Sequence, residues 1–169
     1  MCRVDERVMG KRDTAGVLLP PPLIALGVLA VGFALDRLSP VGLAGAIIPR
    51  AARAVIGGAL VMLAAWAMAR ALWRFRLAGT QAEPWKPTTA LVVRGIYKRT
   101  RNPMYQGFGL FVLGVAFAFA SDWSFLLLPI GAVLMHYGVV RREERYLAAK
   151  FGDDYRAFRD AVPRYGWPL

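Results

Sequence analysis

The chain has 169 residues, enough for one domain, and 57% of them are hydrophobic, which exceeds the usual share in a soluble domain and places it in the membrane class. A formal net charge of +11 would suggest nucleic acid in a soluble chain. In a membrane protein it is explained by basic loops beside anionic lipid, so no nucleic-acid partner is expected. The single cysteine, Cys2, and the single histidine, His136, exclude a disulfide framework and the common zinc and iron sites, so no metal is expected.

Long uncharged stretches, each near the ~20 residues that cross a bilayer, define the fold class. They predict spanning helices at about 17–35, 54–71, 104–120 and 123–140. The expected fold is therefore all-α, a polytopic bundle of four transmembrane helices with a C-terminal cytoplasmic helical segment. A further uncharged piece, 38–49, is too short to span and contains Pro40. It is interpreted as a loop or interfacial segment, with a re-entrant segment as the alternative.

The distribution of Lys and Arg predicts the orientation of the chain. Eight basic residues lie between Arg70 and Arg101 and seven follow Val140, whereas the turn between the last two spans has none. By the positive-inside rule, both termini, a loop at 72–103 and a tail at 141–169 face the cytoplasm. The whole chain, 1–169, is expected to be a single membrane domain.

The last two predicted spans form a helical hairpin closed by a short Ser-Asp-Trp-Ser turn. So short a link forces the two helices to lie antiparallel and side by side. The ends away from the turn then lie at one membrane face, which brings the Arg101 region close to the Glu143 region. Beyond Val140 we expect the helix to continue to about Phe151 and to end at Gly152.

The residues at these two helix ends carry the chemistry of the predicted site. The guanidinium of Arg101 suits a carboxylate, and Glu143 and Glu144 can accept from hydroxyl or ammonium groups. Tyr97 and Tyr105 offer aromatic faces to a cation. A ligand with a carboxylate, an amine, a ribose and a sulfonium, such as S-adenosylmethionine, fits this set.

Structural interpretations remain open beside the functional ones. Asn102 and Pro103 suit the N-cap and the first position of a helix. The Arg141–Glu144 run is also typical of a solvated helix end, where charge pairs contribute only about 0.3 to 0.5 kcal/mol each. His136 is interpreted mainly as a buried polar group in helix packing, although an ionisable residue inside a membrane is also a functional candidate.

Several short motifs occur in order around the hairpin: Gly95-x-Tyr97, Arg101-Asn102-Pro103-Met104-Tyr105, Glu143-Glu144-x-x-Leu147, Phe151-Gly152-x-x-Tyr155 and Val162-Pro163-Arg164. Together they resemble the integral-membrane methyltransferase family of isoprenylcysteine carboxyl methyltransferase and phospholipid methyltransferase. The resemblance covers residues 79–169. Many members have Arg-His-Pro where this chain has Arg-Asn-Pro, a variant that resembles bacterial members and implies the inner membrane of a bacterium. Asn102 can donate hydrogen bonds there but cannot carry a proton.

This resemblance implies an S-adenosylmethionine pocket capped by the C-terminal segment and an acceptor that enters from the bilayer. The implied donor-binding residues are Gly95, Tyr97, Arg101, Asn102, Pro103, Tyr105, Glu143 and Glu144. The implied catalytic residues among them are Arg101, Tyr105 and Glu143. The reaction would be in-line methyl transfer, which depends on alignment and a water-poor pocket and needs neither a metal nor a covalent intermediate.

The acceptor stays open at this point. It is expected to be a lipid or small hydrophobic molecule with an isoprenylcysteine-like carboxylate, a phospholipid amine or a thiol as nucleophile. An NADPH-dependent membrane lipid reductase of related architecture is an alternative, because related folds host different chemistry. A small membrane subunit without enzymatic activity is the other. The oligomeric state is not predicted.

Overall fold

The computed structural model describes residues 13–166, so the first 12 and the last three residues of the predicted domain lie outside the described part. The described residues form helices and no β-strand, which confirms the all-α class. A 3-10 turn at Gly95–Lys98 and a π-helical turn at His136–Val140 accompany the α-helices. The α-helices are α1 (Pro21–Leu38), α2 (Leu43–Ile47), α3 (Arg50–Leu77), α4 (Pro103–Phe119), α5 (Asp122–Met135) and α6 (Arg141–Ala161).

Three helices in the described part are long and apolar enough to cross a membrane. They are α1, α3 and the continuous helix Asp122–Ala161, which joins α5, the π turn and α6. The helix α4 is apolar but shorter, with 17 residues. The protein therefore has three or four apolar helices that suit a bilayer.

The helix α3 is longer than the stretch 54–71 that the sequence predicts. It begins at Arg50 and continues to Leu77, past Arg70 and Arg74. Charged residues served as the boundaries of the predicted span, but arginine side chains at a helix end can extend their charge to water while the backbone stays helical. Irregular backbone consequently begins at residue 78 rather than at 72.

The helices α3 and α4 pack closely, and small residues permit this contact. A Cβ atom at Gly57 would lie 2.6 Å from the carbonyl oxygen of Gly114, and one at Gly114 would lie 2.9 Å from that of Gly57. No side chain larger than hydrogen fits at either position without moving a backbone. This contact fixes α4 along α3, and with it the Arg-Asn-Pro motif that leads into α4.

Hydrogen bonds hold the turn of the hairpin in place, at the end of the bundle opposite to Arg101. Ser121 is the N-cap of α5 and accepts a hydrogen bond from the backbone of Ser124. The hydroxyl of Ser121 also donates to the carboxylate of Asp36 at the end of α1. The carboxylate of Asp122 accepts from the backbone of Ala44 at 3.0 Å, which ties the short α2 to the hairpin. The turn is tighter than the predicted Ser-Asp-Trp-Ser link, because Asp122 already belongs to α5.

The chain bends sharply within α6. Gly152 has φ of 52° and ψ of −121°, so two helical pieces meet there at a kink, as predicted. A positive φ of this kind favours glycine, because a Cβ would be strained. The bend turns the second piece back, so that Phe158 packs beside Tyr97, Ala71 and Val92.

Candidate functional site

The two helix ends of the hairpin meet at a small cavity of about 50 Å³. Its walls come from the end of α3, the irregular 82–92 segment, the 3-10 turn, the start of α4 and the start and bend of α6. Arg101 and Glu143, which are far apart in the sequence, both line it. The predicted donor-binding residues in this lining are Tyr97, Arg101, Asn102, Pro103, Tyr105 and Glu143.

Tyr105 and Glu143 form the shortest polar contact across the cavity. The hydroxyl of Tyr105 donates to Oε2 of Glu143 at 2.5 Å. Burial raises the pKa of Glu143 to about 7; the Tyr105 hydrogen bond lowers this pKa, and the charge of Glu144 raises it. A carboxyl group with such a pKa is poised to lose its proton when a cation arrives.

Tyr97 reaches the same cavity from the 3-10 turn. It is only 6% exposed, and its ring packs edge to face on Phe75 with 5.6 Å between the centroids. Burial raises the pKa of Tyr97 well above its usual value, and the charge of Glu143 contributes in the same direction. The hydroxyl of Tyr97 is therefore neutral at physiological pH.

Glu144 faces two arginines. One carboxylate oxygen lies 2.9 Å from Nη1 of Arg101. Arg164 makes a two-pronged contact with the same carboxylate, from Nε at 2.9 Å and from Nη2 at 2.6 Å. The side chains of Arg101 and Glu144 are only 9% and 14% exposed. In this arrangement Glu144 orients Arg101, and it is not among the residues that line the cavity.

Arg101 has one buried polar atom without a hydrogen-bond partner among the described residues. Its Nη1 also donates to the hydroxyl of Tyr155 at 3.4 Å. Its Nε is buried and makes no hydrogen bond with the described residues. A buried donor without a partner is costly and marks a place where a ligand would bind with a gain in free energy.

The segment 162–166, here called the C-terminal strap, crosses the start of α4. The backbone of Arg101 donates to the carbonyl of Pro163 at 3.0 Å. The carbonyl of Arg164 accepts from Thr100 Oγ1 at 3.1 Å and from Asn102 Nδ2 at 3.2 Å. Asn102 occupies the predicted N-cap position, but its side chain makes no capping hydrogen bond. Its amide instead holds the strap, a partner distant in sequence.

Gly95 lies beside this cavity but is not among its lining residues. Its φ is +68°, and a Cβ atom there would come within 2.1 Å of Nε of Arg74 on α3. Glycine therefore lets the 3-10 turn approach α3 closely, and this approach places Tyr97 two residues later at the cavity. Gly95 thus shapes the cavity through its backbone conformation.

The positions of these motifs agree with a family assignment made from sequence. Residues 52–154, more than half of the chain, match a sequence model of phospholipid methyltransferases. The chain belongs to the phospholipid methyltransferase family. The matched region includes most of α3, all of α4 and α5 and the first two thirds of α6, and it thus includes both helix ends that form the cavity.

A relative of known name supports the same family. The Schizosaccharomyces pombe protein-S-isoprenylcysteine O-methyltransferase is 37% identical to this chain over 79 residues. That alignment covers 47% of this chain but only 33% of the relative. The chain thus matches about a third of that relative's length. No solved structure matches the chain.

Two larger cavities meet the site at the start of α4 in this family member. An apolar cavity of about 460 Å³ lies between α1, α4 and α5, and another of about 300 Å³ lies between the end of α3 and the 80–85 segment. Tyr105 lines both of them as well as the small polar cavity. The first turn of α4 is therefore the junction of all three spaces.

Several lining residues are not in the predicted set of donor-binding residues. Leu147, which ends the Glu143-Glu144-x-x-Leu147 motif, and Phe158 lie on an apolar stripe whose helical spacing predicts a helix that covers the site or lies in the lipid headgroups. Thr88 and Ala90 come from irregular backbone, where no periodicity marks the inward residues. Such positions depend on tertiary packing alone.

Proposed function

We propose that the protein is an S-adenosylmethionine-dependent methyltransferase that acts on a lipid or small hydrophobic acceptor at the cytoplasmic face of the membrane. The observation that carries the proposal is the position of Tyr105. This residue lines a polar cavity with Arg101 and Glu143 and also lines the large apolar cavity. A polar donor and an apolar acceptor would meet at this residue.

The groups around the polar cavity match the donor. The unpartnered Nε of Arg101 suits its carboxylate, and Glu143 suits its ammonium group. The rings of Tyr97 and Tyr105 offer aromatic faces to its sulfonium. When bound, the donor supplies an already activated methyl group, and the protein's part is to align it and exclude water.

The donor needs more space than the small cavity of about 50 Å³ provides, because S-adenosylmethionine is far larger than the few water molecules that such a cavity holds. The neighbouring 300 Å³ cavity shares Phe75, Ala82, Met104 and Tyr105 with it. We infer that the donor lies across both cavities, with its amino-acid end at Arg101 and Glu143. A small rearrangement of the 82–92 segment would join them.

In this proposal Glu144 and Gly95 position other residues of the site and do not contact the donor. Glu144 holds the guanidinium of Arg101, and Gly95 places the 3-10 turn that carries Tyr97. Asn102 fixes the C-terminal strap, which with α6 forms the cap over the donor. Arg101, Tyr105 and Glu143 are proposed to contact the donor during transfer.

The apolar cavity is proposed as the acceptor site. Its lining includes Val133, which is 55% exposed on the outer surface of the bundle. An acceptor chain would therefore enter from the bilayer beside α5. A carboxylate, an amine and a thiol are the candidate nucleophiles.

The proposed topology has four spans, α1, α3, α4 and α5, in a bacterial inner membrane. Both termini and the tail after Val140 face the cytoplasm, in agreement with the excess of basic residues on that side. The chain 1–169 would form one membrane domain, with the cavities near its cytoplasmic edge. Labelling of single cysteines placed in the 72–103 loop and at the hairpin turn, from each side of the membrane, tests this orientation.

The activity is tested with purified protein, lipid extract and a donor that carries a labelled methyl group. Label in a lipid or small-molecule fraction, together with thermal stabilisation by S-adenosylmethionine, supports the proposal. Stabilisation by NADPH but not by S-adenosylmethionine, without transfer of label, would reject it in favour of a reductase.

A further inference from the structure

His136 is a titratable residue that the proposed methyl transfer does not use. It is the first residue of the π turn that separates α5 from α6. It lines the large apolar cavity together with Tyr105 and Tyr165. Nδ1 of its ring lies 2.9 Å from the hydroxyl of Tyr165 in the C-terminal strap. Turns of π type are frequent at functional sites.

The described residues that line this cavity include no Lys, Arg, Asp or Glu. Charged groups lie outside this lining, beside its tyrosines. The guanidinium of Arg141 lies 5.5 Å from the centroid of the Tyr137 ring, Glu143 accepts from the hydroxyl of Tyr105, and Arg164 and Glu144 act on Tyr165. The cavity wall from α1 is apolar and consists of Ile24, Ala25 and Val28.

This lining discriminates between the candidate nucleophiles. A carboxylate would lose its hydration in the cavity and find no cationic side chain among the described lining residues, which is costly in free energy. A neutral amine or a thiol can enter an apolar space far more easily. Each of these must lose a proton in methyl transfer, and imidazole is the side chain best suited to accept one near neutral pH.

We propose that His136, oriented by Tyr165, accepts the proton of the nucleophile, and that the acceptor is therefore an amine or a thiol rather than a carboxylate. This inference rests on the proposed methyltransferase function. It separates this chain from the relative that is named as an O-methyltransferase. His136 would be a catalytic residue, and Tyr165 a positioning residue.

The bonds and charges of this step balance. A lone pair on nitrogen or sulfur of the acceptor forms a bond to the methyl carbon. The carbon–sulfur bond of the donor breaks, and its electron pair stays on sulfur, which becomes a neutral thioether. The proton of the nucleophile moves to His136, so the imidazolium carries the charge that the sulfonium has lost.

The contact with Tyr165 bears on which ring nitrogen of His136 is free. Burial raises the pKa of Tyr165 to about 12, and the nearby charges of Arg164 and Glu144 lower and raise it, respectively. The neutral hydroxyl can donate to Nδ1 of His136 or accept its proton, and the proposed base requires the second arrangement. In that tautomer Nε2 of His136 has a lone pair for the proton of the acceptor.

The test uses an amine, a thiol and a carboxylate that share one long alkyl chain, with purified protein and labelled donor. We expect the wild-type protein to methylate the amine or the thiol and to leave the carboxylate unmethylated. His136→Gln should lower kcat by roughly 100-fold, because a positioned base contributes a factor of about this size to the rate. Donor affinity should not change. The loss of kcat at acidic pH should be smaller in this variant, with the contribution of Glu143 still present.

Tyr165→Phe should shift the pH profile of kcat, whereas Tyr146→Phe should leave the profile in place. Tyr146 is a control for the pH profile, because its hydroxyl contacts Asp13, Lys150 and the backbone of Thr88 and Tyr146 does not line the apolar cavity. Donor affinity equal to that of the wild-type protein verifies that each variant is folded. His136→Asn serves in place of His136→Gln if the latter does not pass this check.

Two results would overturn the inference: methylation of the carboxylate alone, or an unchanged kcat and pH profile in His136→Gln. Failure of the methyltransferase function itself would be seen separately, as absence of donor binding in the wild-type protein. Groups that bear on the pH profile are Tyr105, Tyr137 and Tyr165 in the lining, with Glu143, Arg141, Glu144, Arg164 and Arg101 next to them. Glu143→Gln in the same assay separates the contribution of the Glu143 carboxyl group to the pH profile from that of His136.

Discussion

The hydroxyl of Tyr105 donates to the carboxylate of Glu143 at 2.5 Å, which joins the first turn of α4 to the first turn of α6. Tyr105→Phe removes this hydrogen bond and should raise the pKa of Glu143 further, because the bond lowers that pKa. Hydrogen bonds to charged groups contribute about 1.5 to 3 kcal/mol. We expect roughly 10- to 100-fold weaker binding of S-adenosylmethionine, measured by calorimetry at pH 7. Affinity equal to that of the wild-type protein would remove Tyr105 from the donor site.

Donor affinity should depend on pH through Glu143. The pKa of this carboxyl group is raised to about 7 in the protein without ligand. A cationic donor favours the carboxylate, so affinity should increase from pH 6 to pH 8 and level off above that range. Glu143→Gln should bind more weakly and show no such increase. A pH-dependent increase that persists in Glu143→Gln would assign the effect to another group.

The same group should affect stability with the opposite trend. Between the ordinary pKa of 4.5 and about 7, folded Glu143 keeps its proton while unfolded Glu143 has lost it. The unfolding free energy of the ligand-free protein should therefore decrease as pH rises through this window. Thermal unfolding in detergent from pH 4.5 to 7.5 measures the trend. The decrease should be smaller in Glu143→Gln, and an equal slope in both proteins would contradict the assignment.

The ion pairs of Glu144 should be important for folding. Glu144→Gln leaves Arg101 and Arg164 without their carboxylate, and loss of one partner of a largely buried pair costs about 3 to 5 kcal/mol. We expect a clear decrease in the melting temperature and weaker donor binding. Asp153→Asn is the matched control, because its pair with Arg156 is exposed and contributes little. Equal melting temperatures for the two variants would show that the buried pair does not stabilise the fold.

Adjacent glycines on α3 provide a test of the helix packing. A Cβ atom at Gly57 would lie 2.6 Å from the carbonyl oxygen of Gly114, whereas one at Gly58 would meet nothing within 4 Å. Gly57→Ala should lower the melting temperature by forcing α3 and α4 apart. Gly58→Ala should leave it unchanged or raise it slightly, because alanine favours the helix. Equal effects of the two substitutions would contradict the close contact.

The sequence predicts the parts of the site that follow from local pattern. Uncharged stretches predict α4 and α5, and the short link between them predicts that Arg101 and Glu143 lie at one end of the bundle. Gly152 predicts the break in α6. These features depend on periodicity, charge and turn residues within a few positions of each other.

The remaining features depend on contacts between distant residues. Glu143 and Glu144 are neighbours, but successive residues on a helix point about 100° apart, so one lines the cavity and the other faces arginines. The pattern alone does not say which of them does so. Asn102 looks like a helix cap, yet its amide binds the carbonyl of Arg164, 62 residues later. Pairings of this kind appear only once the chain is folded.

The most direct test of the account is the affinity of the purified protein for S-adenosylmethionine, measured by calorimetry in the wild-type protein, Glu143→Gln and Asp160→Asn. Asp160 is a control because it pairs with Arg159 on the exposed side of α6. We expect the wild-type protein and Asp160→Asn to bind equally, and Glu143→Gln to bind at least about 10-fold more weakly, the loss of a charge-assisted contact. Absence of binding in the wild-type protein, or equal affinity in all three, would contradict a donor site between Arg101 and Glu143.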